Sequence, residues 1–578
     1  MLDPVTLEVI RNTLPAIANE MAADLQRTSY NMMIYEVCDF CTTLTDASGR
    51  LISQNVGGVS HFVADLGVII EDVVAREGPD GFAPDDVFIT NHQRVAGQHL
   101  NNVVVYMPFV FKGKLMGFAM TRAHWIDVGG MSTGLGATPA VSDPWFEGLQ
   151  IDQMRIYEAG KLNKTLEKMI RDNIRYPESS LGDMRAQIAA CRLATRRLEE
   201  LVERYSPDVI EACIDTIFRE TETRCRNVVK TIPNGVYEAE SFYDDDTVTT
   251  EPVRIHAKVV VADGDMTIDL SGCSDQRVGG LNSRTLAGTR VAYKALTEPA
   301  APVNEGSFTA LKSVIPEGNI MMARYPAPMG GWSLIVPTVV DTIFKALAPA
   351  IPDRIPAAHH GLLGGSIVFL GRDPKSGANF VLQSLEGGGW GGRPNGDGMS
   401  GAVSVCQGNV KNSPIETMEI KTPVLVEERA LRPDSGGPGR FRGGLGIDVR
   451  VRNLVEGKWN LARPRRRKCP PWGLDSGKAG GGADYLLQLP NELEGAPIDQ
   501  VMRTVPPRSV VTIRTGAGGG WGDPFEREAE AVLDDVLEGL VSIERARLDY
   551  GVVIDPQKLA VDAAGTRDLR SRRAQAAE

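Results

Sequence analysis

Long apolar runs are missing from this chain. The longest, Val103–Phe111, holds nine residues and is broken by Pro108, whereas a helix crossing a bilayer needs about 20. Cysteine is sparse as well: eight are scattered over 578 residues, with no paired spacing of a disulfide framework. Positive charge falls short of negative, 62 Lys+Arg against 74 Asp+Glu, a net charge of −12. That balance argues against broad neutralisation of nucleic-acid phosphates. Met1-Leu-Asp-Pro4 lacks the basic and apolar regions of a secretory signal, so the expectation is a cytoplasmic protein with reduced thiols. No G-x-x-x-x-G-K-[ST] occurs, which excludes a Walker loop for ATP in this chain.

What is present suggests large folded cores. At about 150 residues per domain the length implies three to four domains, or two large ones. Asp3-Pro4 opens a helix whose face is Leu7, Ile10, Leu14, Ile17, Met21 and Leu25, with a bend expected at Pro15. Strands follow at Phe40–Leu44, Val87–Thr90, Val103–Phe111 and Leu115–Ala123, the last two joined by a turn at Lys112-Gly113-Lys114. Residues 161–230 read as helical, with a restart at Ser206-Pro207. Beyond Tyr237 the pattern is β, with a hairpin turn at Ala262-Asp263-Gly264-Asp265. A helix over Arg527–Tyr550 and a fraying charged tail close the chain. The expected class is α+β, with mixed sheets, a helical segment in the N-terminal half and a β-rich, Gly-rich C-terminal half. Changes of texture divide it into 1–230, an α/β region with helices; 231–430, a β-rich region with Gly-rich loops; and 431–578, a β region ending in a helix.

Four of the seven histidines, His61, His92, His99 and His124, lie between residues 61 and 124. His99 precedes one strand of the predicted hairpin and His124 ends the other, so pairing carries both imidazoles to one end of the sheet. Imidazoles with an oxygen donor suit Zn or Mn. Asp39 is a candidate carboxylate, and Asn102 or Asp127 can add oxygen. The alternative is a set of separate polar residues at strand ends. Cys38-Asp-Phe-Cys41 reads as buried free thiols in a strand, since residues three apart face opposite sides. Gly130-Met-Ser-Thr-Gly134 lacks the following helix of a nucleophile elbow. Arg463-Pro-Arg-Arg-Arg-Lys468 reads as a solvated loop, with grip on a phosphate or an acidic partner as the alternative.

Glycine is in excess, 61 of 578 or about 10.6%, against roughly 7% on average. It clusters at Gly387–Gly398, Gly436–Gly446 and Gly516–Gly522, interleaved with Trp, Arg, Asn and Asp. This placement predicts ordered loops with close backbone approach, packed near the active site or a partner interface, in preference to flexible linkers. β-turn glycines of a large β domain are the other reading.

Taken in order, several segments resemble the hydantoinase B/oxoprolinase family. They include Asp39-Phe-Cys-Thr-Thr-Leu-Thr-Asp46, Asp86-Val-Phe-Ile-Thr-Asn91, Gly97-Gln-His99-Leu and Arg122-Ala-His124-Trp-Ile-Asp127-Val-Gly-Gly130. Asn173-Ile-Arg-Tyr-Pro177, Asn412-Ser-Pro414 and Gly436-Gly-Pro-Gly-Arg440-Phe-Arg-Gly-Gly444 continue the likeness. The resemblance implies the metal-bearing B subunit of an ATP-dependent cyclic-amide hydrolase, whose hydantoinase A-type ATPase subunit phosphorylates the ring substrate. It implies a divalent metal, Zn or Mn, on Asp39, His99 and His124 with Asn102 as a fourth ligand, and ATP held by the partner. Asp127 is the candidate orienter of an imidazole; His92 and His61 are candidates for proton transfer. The family commonly has Thr-His-Leu-Pro-Asp where Gln98-His-Leu-Asn-Asn102 stands here, so an anionic ligand is lost at 102. Trp125 replaces a polar neighbour and is expected as an aromatic wall. His92 follows Asn91 where the family usually has Asp, implying a different substrate. The family also includes the α subunit of acetone-type carboxylases, a second expectation; a non-catalytic scaffold for the ATPase subunit is a third.

Overall fold

The structure, a computed structural model, describes residues 2–133, 141–246, 248–361, 365–461, 463–498 and 501–577. Asp3 accepts a hydrogen bond from Thr6 N at 2.9 Å and starts helix α1 (Pro4–Thr28), which runs on through Pro15. Its buried face is Ile10, Leu14, Ile17, Met21 and Leu25, as the periodicity predicts, with Leu7 at the margin. The helical region resolves into Lys164–Asn173, α2 (Pro177–Tyr205) and α3 (Pro207–Val229). The break falls at Ser206, whose φ of +71° turns the chain before Pro207 restarts it.

Strands β1 (Phe40–Asp46), β2 (Leu51–Gln54), β3 (Val87–Thr90), β4 (Asn102–Phe111), β5 (Lys114–His124), β6 (Met154–Glu158) and β7 (Lys161–Leu162) form one sheet, in the order β2-β1-β5-β4-β3-β6-β7. Neighbouring strands in it run antiparallel. The β4–β5 turn places Lys112 at φ +49° and Gly113 at φ +79°, the two positive values a tight hairpin turn requires. Helices α1 and α2 cover one face, and their apolar stripes join Leu44, Val103, Val105 and Ala123 in one core. A smaller sheet rests on the hairpin β8 (Val253–Ala262) and β9 (Asp265–Asp269), with β10 (Leu311–Val314) added parallel to β9.

The chain groups into two compact units. One comprises Met1–Glu240, Asp245–Ala346 and Cys406–Ser413; the other comprises Ser241–Asp244, Leu347–Val405 and Pro414–Glu578. The second unit holds a four-stranded sheet that includes Gly365–Arg372 and Asn379–Glu386, and a five-stranded sheet that includes Ile447–Asn453 and Val510–Arg514. The architecture is α+β, as the sequence pattern implies.

The three glycine blocks interlock in the second unit as ordered backbone. Gly389 N donates to Gly516 O at 3.0 Å, Gly437 N to Gly518 O at 2.8 Å, and Gly444 N to Trp390 O at 2.7 Å. A Cβ at Gly389 would sit 1.8 Å from Gly444 O, so only glycine allows these strands of backbone to lie in contact.

Three local expectations need correction. The C-terminal helix is two, Ala529–Leu537 and Ile543–Tyr550, with Gly539 at φ +71° between them. The charged tail is not frayed but forms helix Ala563–Ala577, and Arg570 on it donates to Tyr550 O. Arg465 and Arg466 are not solvated: they are 3% and 1% exposed. Arg466 donates to Phe242 O, while Asp244 accepts from the backbone of Arg467 and Cys469.

Candidate functional site

Three neighbouring strand ends meet in the first unit. The β4–β5 register sets Asn102 opposite His124, and the β1–β5 register sets Phe40 opposite Ala123. Asp39, one residue ahead of β1, therefore lies beside His124, and its carbonyl accepts a hydrogen bond from His124 N at 3.2 Å. His99 sits one turn before β4, with its carbonyl accepting from Asn102 N. The hairpin thus does what its spacing predicts, and the two imidazoles meet with ring centroids 5.0 Å apart.

Asn102 is the centre of this group. Its Oδ1 lies 2.7 Å from His99 Nε2 and 3.3 Å from His124 Nδ1, and Asp39 Oδ2 lies 3.9 Å from His124 Nδ1. A relay of amides determines which way Asn102 points. Gln98 Nε2 donates to His61 O and to Asp65 Oδ2, Gln98 Oε1 then accepts from Asn102 Nδ2, and Asn102 Oδ1 is left facing the histidines. Asp65 is itself held by Thr285 Oγ1 and Leu286 N.

Burial governs the charges. It pulls the His99 imidazole down to about 4 and His124 well below its ordinary value, and it pushes the Asp39 carboxyl up to about 7. Neutral His99 carries one ring proton, and on Nε2 it is donated to Asn102 Oδ1 at 2.7 Å, since Asn102 Nδ2 is already engaged with Gln98. A cation replacing that proton would meet the Nε2 lone pair and the amide oxygen together. Among the described residues no three His, Cys, Asp or Glu side chains converge to hold a metal by themselves. The convergence here is of two imidazoles on an amide oxygen, with Asp39 alongside, and its donor types fit a divalent cation.

His61 joins the group and His92 does not. His61 is 3% exposed, packs edge-on against Phe62 and Trp332 at 4.9 Å each, and is drawn down to about 3 by burial. His92 is half-buried, with its Nδ1 accepting from Arg94 N and its ring against Tyr325. Asp127 is engaged away from the imidazoles, accepting from Gly129 N and from the backbone and guanidinium of Arg175. Trp125 is not a wall of the site. One residue beyond His124 it points the other way, into the core, where its Nε1 donates to Gln187 Oε1 of α2 at 2.8 Å.

Residues 3–524 match the family described as Hydantoinase B/oxoprolinase. The chain belongs to the hydantoinase B/oxoprolinase family. It is 31% identical to the B subunit of a putative D-/L-hydantoinase from Pseudomonas sp. (strain NS671), with 98% of each chain covered. Its fold matches the crystal structure of the ATP-dependent caprolactamase from Pseudomonas jessenii at a TM-score of 0.90 and 26% identity, covering 99% of this chain and 100% of that one. A nucleotide-free acetone carboxylase structure shares the fold at a TM-score of 0.88 and 18% identity, over 100% of this chain and 84% of that one.

This member of the hydantoinase B/oxoprolinase family holds two further buried residues beside the histidines, Trp332 and Arg122. Trp332 is fully buried between His61 and His99, 4.9 and 6.2 Å from their rings. Arg122 is buried with Nη1 donating to Phe62 O, and burial lowers its pKa against the pull of Asp65. Trp332 comes from a segment remote in sequence and has no spacing to read; Arg122 lies two residues before His124 on β5, where the sequence gives its place but not its burial. Cys38 and Cys41 are free thiols, but Cys38 precedes the strand at φ +62° instead of lying in it. Ser132 lies in a bend, not at a strand-to-helix elbow, and Gly134 of that pentapeptide is outside the described residues. No helix among the described residues is long and apolar enough to cross a membrane.

Proposed function

We propose that this chain is the B subunit of an ATP-dependent cyclic-amide hydrolase, acting on a hydantoin, oxoproline or lactam ring that a hydantoinase A-type ATPase subunit has phosphorylated. The convergence of His99 and His124 on Asn102 Oδ1, beside Asp39, carries the reading. The likeness to a hydantoinase B subunit and to the caprolactamase supports it.

An amide carbon is a poor electrophile, and phosphorylation of its oxygen creates a leaving group. Zn or Mn on His99, His124, Asn102 and Asp39 would supply Lewis acidity and hydroxide near neutral pH. His99 and His124, kept neutral by burial, present lone pairs and repel no cation. His61, on the Trp332 side of His99, is the candidate for proton transfer; burial keeps it neutral, so it would pass a proton on rather than hold one. ATP is assigned to the partner subunit on the strength of the family likeness.

Metal analysis of the purified protein and ATP turnover with hydantoins or lactams, in the partner's presence and without bicarbonate, test the assignment. His99→Ala and His124→Ala should each lower bound metal and turnover by more than the roughly 10- to 100-fold typical of losing an outer-shell partner. Normal turnover in both variants overturns the catalytic reading and leaves a docking scaffold. Strict dependence on bicarbonate moves the chain to the acetone-type carboxylases.

A further inference from the structure

Arg122 is a buried cation that the hydrolytic mechanism does not use. It is 2% exposed, and among the described residues its one hydrogen bond runs from Nη1 to Phe62 O at 3.1 Å. Its Nε is buried with no acceptor. Among the described residues it makes no ion pair: Asp65, the carboxylate that pulls on it, spends its oxygens on Thr285 Oγ1, Leu286 N and Gln98 Nε2. The strand register fixes where it stands. Arg122 lies two residues before His124 on β5 and pairs across to Cys41 of β1. Side chains alternate along a strand, so Arg122 shares the face of His124 and stands one repeat, about 6.8 Å, further along it. Ala123 and Trp125 take the other face, in the core. The guanidinium carbon lies 6.0 Å from the ring of Phe62, the residue after His61.

We propose that Arg122 forms an anion subsite beside His99 and His124 and takes the phosphoryl group carried by the activated ring. The physical argument is one of uncompensated charge. A cation taken out of water with no counter-ion is costly, and an arriving anion offsets that cost. A guanidinium holds five N–H donors in a rigid fork that matches the spacing of two phosphoryl oxygens. Phe62 O steadies the fork through Nη1 and leaves the Nε–Nη2 edge without a protein acceptor among the described residues. A phosphoryl group, with close to two negative charges at neutral pH, suits that edge. Lying on this face of the sheet, it would meet the guanidinium while the ring it activates reaches toward His99 and His124. The inference rests on the proposed function only in taking the activated ring to carry a phosphoryl group.

The test uses metal-free, full-length protein without the partner subunit, and follows binding by calorimetry and by thermal unfolding at constant ionic strength. Methyl phosphate, a monoester, stands for a phosphoryl group on a ring, with inorganic phosphate and acetate beside it. Methyl phosphate should bind the wild type and raise its thermal midpoint. Its affinity should fall roughly 10- to 100-fold in Arg122→Met, with Arg122→Lys, which keeps the charge and loses the fork, in between. No binding to the wild type, or equal binding to a folded Arg122→Met protein, overturns the proposal and leaves Arg122 a strut for Phe62 O. Inorganic phosphate bound with methyl phosphate refused also overturns it, since the site would then take free phosphate. Acetate bound more tightly than either phosphate does the same by marking a carboxylate site. If Arg122→Met does not fold, Arg122→Lys takes its place, and undiminished binding there counts against the proposal equally. Methyl phosphate bound without turnover of any cyclic amide would defeat the hydrolase reading alone; turnover without methyl phosphate binding would defeat the subsite alone.

Discussion

At position 102 an amide stands among two imidazoles, and the cost of changing it can be worked out from its partners. Asn102→Asp adds a negative charge 2.7 Å from His99 Nε2, and ligand charge tunes divalent-cation affinity over orders of magnitude. The expected gain is on the order of tenfold or more for Mn²⁺. The same change sets a carboxylate oxygen against Gln98 Oε1, which now accepts from Asn102 Nδ2 at 2.8 Å. Gln98 cannot simply turn over, because its Nε2 is engaged with His61 O and Asp65. The metal-free variant should therefore lose about 1–3 kcal/mol of stability. Calorimetric Mn²⁺ titration and thermal unfolding in chelator check the two halves separately. At this scale the sequence was partly legible. Asn102, His99 and His124 could be read together because a tight hairpin turn fixes register and side chains alternate. Asp127 misled: its place three residues after His124 said nothing of Arg175, which claims its carboxylate.

Helix α2 ties the core to the site through a single carboxyl. Asp183 Oδ1 accepts from Tyr30 N and Asn31 N, and Asn31 Nδ2 donates to His124 O. Its Oδ2 is buried without a partner, and burial pushes the carboxyl up to about 7. A folded pKa raised above the ordinary 3.8 favours the protonated form. The stabilisation is full below that ordinary value and is lost as pH rises through the folded one. Between them the slope reaches about 1.4 kcal/mol per pH unit. Buried His61, His99 and His124, drawn below their ordinary value, act in the opposite sense between about pH 4 and 6.5, so the Asp183 contribution is read as a difference: relative to Asp183→Asn, the wild-type thermal midpoint should fall as pH rises from 4 to 8. The glycine-rich backbone supplies a second test. Gly518→Ala places a Cβ 1.9 Å from Trp390 O and should cost at least the roughly 1–3 kcal/mol of overpacking, whereas Gly539→Ala meets nothing within 4 Å and bears only the cost of its φ of +71°. Chemical denaturation distinguishes them. Helices and strands were legible here because their signals are local: Asp3-Pro4, Ser206-Pro207 and Lys112-Gly113 act on the residues beside them. The tail helix and the buried Arg465 and Arg466 were not, since both depend on what lies opposite.

As a whole molecule, the chain matches a hydantoinase B subunit over 98% of its length. Co-expression with an A-type ATPase subunit should therefore yield a complex that survives size exclusion and hydrolyses ATP in response to a cyclic amide. A chain that stays uncomplexed and leaves the ATPase unaffected would overturn the partnership.

The sequence by itself determined the α+β class, the hairpin that brings His99 and His124 to one sheet edge, and the glycines that let backbone touch backbone. Each follows from periodicity, turn chemistry or the size of a side chain, and these act over a few residues. Only the tertiary structure decided that Trp332 lies between His61 and His99, that Trp125 faces the core, and that Glu147 holds Met329 and Gly330. Those contacts join segments from about 60 to more than 250 residues apart. They are set by the packing of whole sheets and helices, which no local spacing encodes.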